Sequence, residues 1–248
     1  MRTLLIISSL LTALSTPPQG PDPTELVRRA DRLLRGETHT GTYRMEVSTP
    51  RWTRSMKMRV WTQGTDRALI RIDEPAQETG TGFLKIGVEV WSYLPSVAKT
   101  VKIPPSMMQQ SWMGSDFTND DLVKESSILT DYTQHLVGQE MLEGIATWHI
   151  RLEPRPEATV VWGRVDLWIQ QEGDIIRREV YYDQSGEEVS EMRLDEIRLM
   201  GGRRIPTRYV MVPSDKEGHR TVLYIDEATF DQPIADSFFS LQNLRRVR

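Results

Sequence analysis

The chain has 248 residues, 27% of them charged, a formal net charge of -4 and no cysteine. Nucleic acid is excluded as a partner, because phosphate binding calls for a basic stripe and the Lys and Arg residues here are scattered singly. The lack of cysteine excludes disulfides, thiolate chemistry and a lipid-modified N-terminal cysteine.

Taken in chain order, Met1-Arg2 gives a positive start, Thr3 to Leu14 is an apolar run, and Ala13-Leu14-Ser15 places small residues at both ends of a cleavage triplet. This is the pattern of a secretory signal peptide over residues 1–15, too short for the ~20 apolar residues that cross a bilayer. An exported chain without cysteine is expected in a bacterial periplasm. Residues 16–22 read as a Pro and Gly linker, and 23–248 as one domain. Asp22 can cap a helix, Pro23 suits its first position and Glu25 lies three residues after the cap, so a helix is predicted over 23–35, with Gly36 ending it. Leu26, Val27, Ala30, Leu33 and Leu34 share one face, which should lie against a sheet.

From residue 38 the apolar period changes to two. Tyr43, Met45 and Val47 alternate with Arg44, Glu46 and Ser48, and Met56, Met58 and Val60 alternate with Lys57 and Arg59. Further strands are predicted at 67–73, 82–94 with a break at Gly87, 99–103, 132–138, 146–153, 160–170, 175–182, 188–199, 204–212 and 219–230, separated by turn residues such as Glu143-Gly144 and Gly201-Gly202. About a dozen antiparallel strands without a long repeat predict one wide, curled sheet. An interior that wide is not filled by its own side chains and needs a helix or a ligand.

A search for reactive constellations finds few. The four histidines, His39, His135, His149 and His219, are far apart and form no metal-ligand pair. The sequence lacks a nucleophile elbow, a P-loop and a dinucleotide fingerprint. The acidic run from Asp116 has Asp121 where a calcium loop needs Gly and Ser127 where it needs Glu, so that pattern fails. Thr118 with Asp121 three residues later instead reads as a capping-box helix start. No metal or cofactor is expected. Eleven Met and seven Trp are a large supply of adaptable apolar surface. The stretch PSMMQQSWMGSDFTNDDL, 105–122, holds Met107, Met108, Trp112, Met113 and Phe117 without strand or helix period. Met45, Met56 and Met58 suit a core or a cavity wall equally.

Trp91-Ser92-Tyr93-Leu94-Pro95, Lys99, Ile103, Met113-Gly114-Ser115-Asp116-Phe117 and Asp121-Leu122 together resemble the signature of the LolA-like outer membrane lipoprotein-sorting family. Weaker echoes lie in Tyr182-Asp183 with Gly186, in Ile205-Pro206-Thr207 and in His219 to Leu223, so the resemblance runs over roughly residues 75 to 245. It implies a mainly β fold, a half-open antiparallel barrel with helices closing its mouth, and a hydrophobic cavity that receives acyl chains of lipids or lipoproteins in the periplasm. Relatives often carry basic residues just before the Gly-Ser-Asp-Phe stretch. Here Met107-Met108-Gln109-Gln110 stands in their place.

The lipid-binding residues so expected are Met45, Met56, Met58, Val60, Trp91, Tyr93, Met107, Met108, Trp112, Met113 and Phe117. The 105–117 segment reads either as a lid that moves on Gly114 behind the stiff Pro104-Pro105, or as a fixed plug. The expected protein is a non-enzymatic, monomeric shuttle that touches membranes transiently. The alternatives are a non-catalytic adaptor of an inner-membrane lipid transporter and, further off, a hydrolase using a Ser near His135 or His149.

Overall fold

A computed structural model describes residues 20–124, 127–158 and 160–246. The expected signal peptide and residues 16–19 of the linker lie outside them. The helix α1 spans Pro23–Arg35, as its caps predict: the Asp22 side chain accepts from the Thr24 amide at 2.9 Å, and Gly36, at φ 64°, donates its amide to the Arg32 carbonyl. Leu26, Val27 and Ala30 are buried on its inner face.

Thirteen strands form one antiparallel sheet. They are β1 (Thr38–Ser48), β2 (Thr53–Gln63), β3 (Arg67–Glu74), β4 (Gly82–Ile86), β5 (Glu89–Leu94), β6 (Lys99–Ile103), β7 (Tyr132–Leu142), β8 (Ile145–Pro154), β9 (Arg164–Gln170), β10 (Ile176–Tyr182), β11 (Glu188–Met200), β12 (Arg203–Pro213) and β13 (Arg220–Phe230). The predicted 82–94 segment is two strands, because Gly87, at φ 58°, turns the chain back as part of a tight hairpin. The spatial order is β6-β5-β4-β3-β2-β1-β13-β12-β11-β10-β9-β8-β7. The first and last strands therefore pair in the middle, and the two edges, β6 and β7, are consecutive in sequence. The sheet is not closed: β6 and β7 do not pair with each other.

One face of this sheet curls about a common core. Met45 faces Met56 across β1 and β2, and both share a cluster with Ile70 and Phe83 from one wing and with Ile150, Leu152 and Val165 from the other. Residues so distant along the sheet meet only if it bends. α1 lies inside the bend. The opposite face of β2 to β5 is covered too. Trp61, Leu69, Leu84, Trp91 and Tyr93 pack against Phe238, Phe239, Leu241 and Leu244 of the C-terminal segment, which contains the short helix α3 (Leu241–Leu244). Arg71 donates to the Asn243 carbonyl at 2.6 Å, and Gly82 leaves room for Leu244, whose Cδ1 would stand 2.7 Å from a Cβ there. β3 is consequently buried on both faces, which explains its unbroken Ala-Leu-Ile run.

The 104–131 connection runs from one edge of the sheet to the other. Its backbone folds into a narrow loop, with the Trp112 amide donating to Phe117 O at 2.7 Å and the Asn119 amide to Gln110 O at 3.0 Å. Met113 and Gly114, at φ 50° and 76°, form its tip. Arg54 of β2 donates to Met113 O at 3.1 Å. The Asp116 amide donates to the Thr221 hydroxyl of β13 at 2.9 Å, and that hydroxyl donates to the Asp116 carboxylate at 2.7 Å. The helix α2 (Asn119–Lys124) then starts on the predicted capping box, with the Thr118 amide donating to Asp121 Oδ2 and the Asp121 amide to Thr118 Oγ1. Trp112 is 1% exposed and lies against Phe83, ring centroids 5.3 Å apart. Removing an indole packed this way costs about 3–5 kcal/mol. Trp112→Ala is therefore expected to lower the melting temperature by on the order of 10 °C in a circular-dichroism melt; a shift below about 2 °C would show that the loop is not anchored in the core.

Candidate lipid-binding cavity

Inside the curl lies a cavity of ≈ 210 Å³. Its apolar wall comes from Met58, Val60 and Ile70 on one side, Val165, Leu167 and Ile176 on the other, Met192, Leu223 and Ile225 between them, and Leu34 of α1. Period-two alternation puts these side chains inward, and their charged neighbours Arg59, Arg71 and Asp166 point to the other face. Phe117 closes the wall from the 104–131 connection.

Of the residues expected to bind lipid, Met58, Val60 and Phe117 line this cavity. Met45 and Met56 are fully buried in the core outside it, and Trp112 and Met113 pack on the same core. Met108 sits on Val90 and Ile103 near the β6 edge, and Met107 is 40% exposed. Trp91 and Tyr93 do not face the cavity at all. They lie on the opposite face of the sheet beneath the C-terminal segment, an arrangement that β5 alone could not reveal because both of its faces carry large side chains. Sequence reasoning passed over Leu167, Ile176, Met192 and Ile225, although the same alternation marks them as inward, and the tyrosines Tyr132, Tyr181 and Tyr209, which bring hydroxyls into the wall.

Several titratable groups reach this apolar space. His39, packed on Phe230 and within 3.2 Å of the Tyr43 hydroxyl, is pushed down to about 4 by burial, with Arg35 and Arg203 adding to the effect. Burial pushes Asp121 up to about 6 against the hydrogen bonds from Thr118 and from the Trp162 indole. Burial also raises Tyr132. The other histidines stand elsewhere. His149, on the outer face, stacks on Trp168 at 4.4 Å with Nδ1 2.8 Å from Glu140; burial lowers its pKa, but bonds to Asp166 and Glu140 outweigh that and raise it. His135 lies 3.6 Å from Glu153, and His219 lies 4.0 Å from Asp116.

A family model described as "Uncharacterized protein" matches residues 64–246, well over half of the chain. The chain belongs to that family. Its fold is LolA-like. A LolA superfamily protein from Nitrosomonas europaea superposes with a TM-score of 0.78 at 20% identity, over 90% of this chain and 100% of that one. A domain described as an outer membrane lipoprotein-sorting protein from Vibrio parahaemolyticus gives 0.79 at 18%, over 90% and 98%. A DUF1329 family protein from Desulfovibrio piger gives 0.81 at 20%, over 90% and 100%. None of the curated proteins compared matches the chain.

Two outcomes test this geometry. Because His39 titrates near 4 when folded and near 6.5 when unfolded, the folded state holds fewer protons between those values. Its contribution is intact above pH ~6.5 and is lost as pH falls toward 4, by up to about 3 kcal/mol at ~1.4 per unit. His39→Gln should flatten the acid limb of stability against pH in urea titrations; an unchanged limb would overturn the assignment. His149→Gln, on the outer face, should lower stability while leaving the affinity for a fluorescent acyl probe within about threefold. A hundredfold loss in the folded variant would instead favour hydrolase chemistry.

Proposed function

We propose that the protein is a periplasmic carrier that holds an acyl chain of a lipid or lipoprotein in this cavity and moves it toward the outer membrane. The observation that carries the reading is the apolar cavity on the inner face of a sheet whose fold is shared with a LolA superfamily protein and with a lipoprotein-sorting domain. A chain of ~15 methylenes costs about 12 kcal/mol to expose to water, at ~0.8 per CH₂, so it crosses an aqueous compartment only under cover. An adaptor that holds no lipid has use for a filled interior and an exposed apolar patch; an interior cavity supports the carrier instead. The working parts are inward side chains on a rigid sheet, with Phe117 of the 104–131 connection against them, and the role asks for no acid, base or nucleophile.

The binding set is then Met58, Val60 and Phe117 with the inward residues of β9 to β13, and Trp91 and Tyr93 fall outside it. A carboxylate on the wall must lose its water when an acyl chain enters. Val60 is only half-buried, so Val60→Glu should fold with a melting temperature within a few degrees of the parent and bind a fluorescent fatty-acyl probe at least about tenfold more weakly. Trp91→Ala should keep the affinity within about threefold. The reverse order, with Trp91→Ala the weaker binder, would place the ligand on the outer face and end the carrier reading as stated here.

A further inference from the structure

A second hollow, of ≈ 190 Å³, lies where the β7–β8 hairpin leans over β10 and β11. Leu142, Glu143 and Ile145 line it from the hairpin, and Arg177, Arg178, Arg193 and Asp195 line it from the two strands. The hairpin turns on Glu143 and Gly144, at φ 50° and 83°, which brings the Glu143 carboxylate to 3.5 Å from Arg193. This hollow is separate from the apolar cavity. Arg178 lies over Trp168 at 4.6 Å, and Trp168 stacks on His149, on the face of the sheet turned away from that cavity.

Three arginines meet here against ordinary strand chemistry. In a regular strand, neighbouring side chains leave opposite faces. The register of β10 against β9 slips between Ile176 and Arg178, so Arg177 is the extra residue of a bulge, and both Arg177 and Arg178 reach the same hollow. Across the next ladder Arg178 stands directly opposite Arg193, and like charges so placed repel. Carboxylates answer part of this charge. Glu191 accepts from both Arg178 and Arg193, Glu143 is the exposed partner of Arg193, and Asp195 is held by Arg208 at 2.7 Å. Glu143, Glu191 and Asp195 thus face Arg177, Arg178, Arg193 and Arg208, and the cation left over is Arg177. It is partly buried and has no ion pair or hydrogen bond among the described residues. Arg178 Nε and Asp195 Oδ1, both buried, also lack partners there; one is a donor and the other an acceptor, so they leave that balance unchanged.

A guanidinium presents its N–H donors as a planar fork that two oxygens of a phosphate or carboxylate match. The hollow is smaller than the ~300 Å³ at which sites begin to enclose a whole small molecule, so it suits the anionic group of a ligand and not its body. We propose that this hollow is an oxyanion site, taking a phosphate or carboxylate, with Arg177 as its main contact and Arg193 as the second. Glu143, on an exposed side chain, is the group that the incoming anion displaces from Arg193. The site is independent of the carrier reading, because it and the apolar cavity lie on opposite faces of the sheet. The same oxygens reach it either on a free anion or on an anionic lipid head group at a bilayer surface.

Two arms on the full-length protein test it. Calorimetric titration with inorganic phosphate and with succinate at low ionic strength reads the free anion, and co-sedimentation with phosphatidylglycerol vesicles, compared with phosphatidylcholine vesicles, reads the head group. Binding is expected in at least one arm, and the arm in which it occurs identifies the source. Arg177→Gln breaks no ion pair or hydrogen bond, so it should melt within about 2 °C of the parent and bind at least about threefold more weakly. Arg177→Lys, which keeps the charge and loses the fork, should fall between the two. Glu143→Gln, which frees Arg193, should bind more tightly than the parent. Arg59→Gln, elsewhere on the outer face, should stay within about twofold of the parent. No binding in either arm up to ~10 mM phosphate overturns the proposal. So does a loss in Arg177→Gln smaller than threefold, or an equal loss in Arg59→Gln, which would assign the binding to general surface charge.

Discussion

The structure depends on one constraint of connectivity. Because β1 and β13 pair in the middle of the sheet, the strands left at its two edges, β6 and β7, follow one another in sequence, and the chain between them must cross the whole opening. A sheet of this width cannot fill its own interior. The 104–131 connection therefore does two jobs at once, joining the edges and supplying apolar mass to the space between them. This accounts for methionines, a tryptophan and a phenylalanine among glutamines and serines. Trp112 belongs to the core, Phe117 to the cavity wall and Met108 to the margin of the sheet. The loop is held at its tip by hydrogen bonds to β2 and β13, strands in the middle of the sheet.

The two faces of the sheet are used differently. The inner face keeps an open apolar space, whereas the outer face of β2 to β5 is sealed by the C-terminal segment around Phe239 and Leu244. Farther along, the outer face is polar: Arg151, Asp166, His149 and Glu140 form ion pairs across β7 to β9, and Arg178 lies over Trp168 at 4.6 Å. Such pairs cover sheet surface without demanding a further layer of chain. Sealing one face leaves the inner one as the side where the described chain offers room to a hydrophobic guest.

Polar groups also reach the space inside the curl. Burial disfavours the charged forms of His39 and Asp121 alike, which leaves the imidazole neutral and the carboxyl titrating close to neutrality. The rest of the lining is mixed in sign: Arg35, Arg67 and Lys85 reach it from α1, β3 and β4, and Asp31, Asp120, Asp121 and Glu179 bring carboxylates to it.

The sequence by itself determined the secondary structure closely. Asp22, Pro23 and Gly36 mark α1 through backbone preferences that act within one or two turns, and the alternation of Met45, Val47, Met56 and Met58 marks strands because successive side chains must leave opposite faces of a pleat. The Thr118 and Asp121 box was legible for the same reason, since its two partners are three residues apart. A local pattern states that two faces exist and leaves open what covers each. Trp91 and Tyr93 alternate as well as Met58 and Val60 do, yet only the tertiary structure lays Phe239 and Leu244, nearly 150 residues away, over the first pair and leaves the second facing a cavity. It likewise decided that Lys85 closes on the same space as Arg35. Contacts between residues far apart along the chain are set by how the whole sheet bends and where its ends meet, and no window of sequence short enough to show a period contains that information.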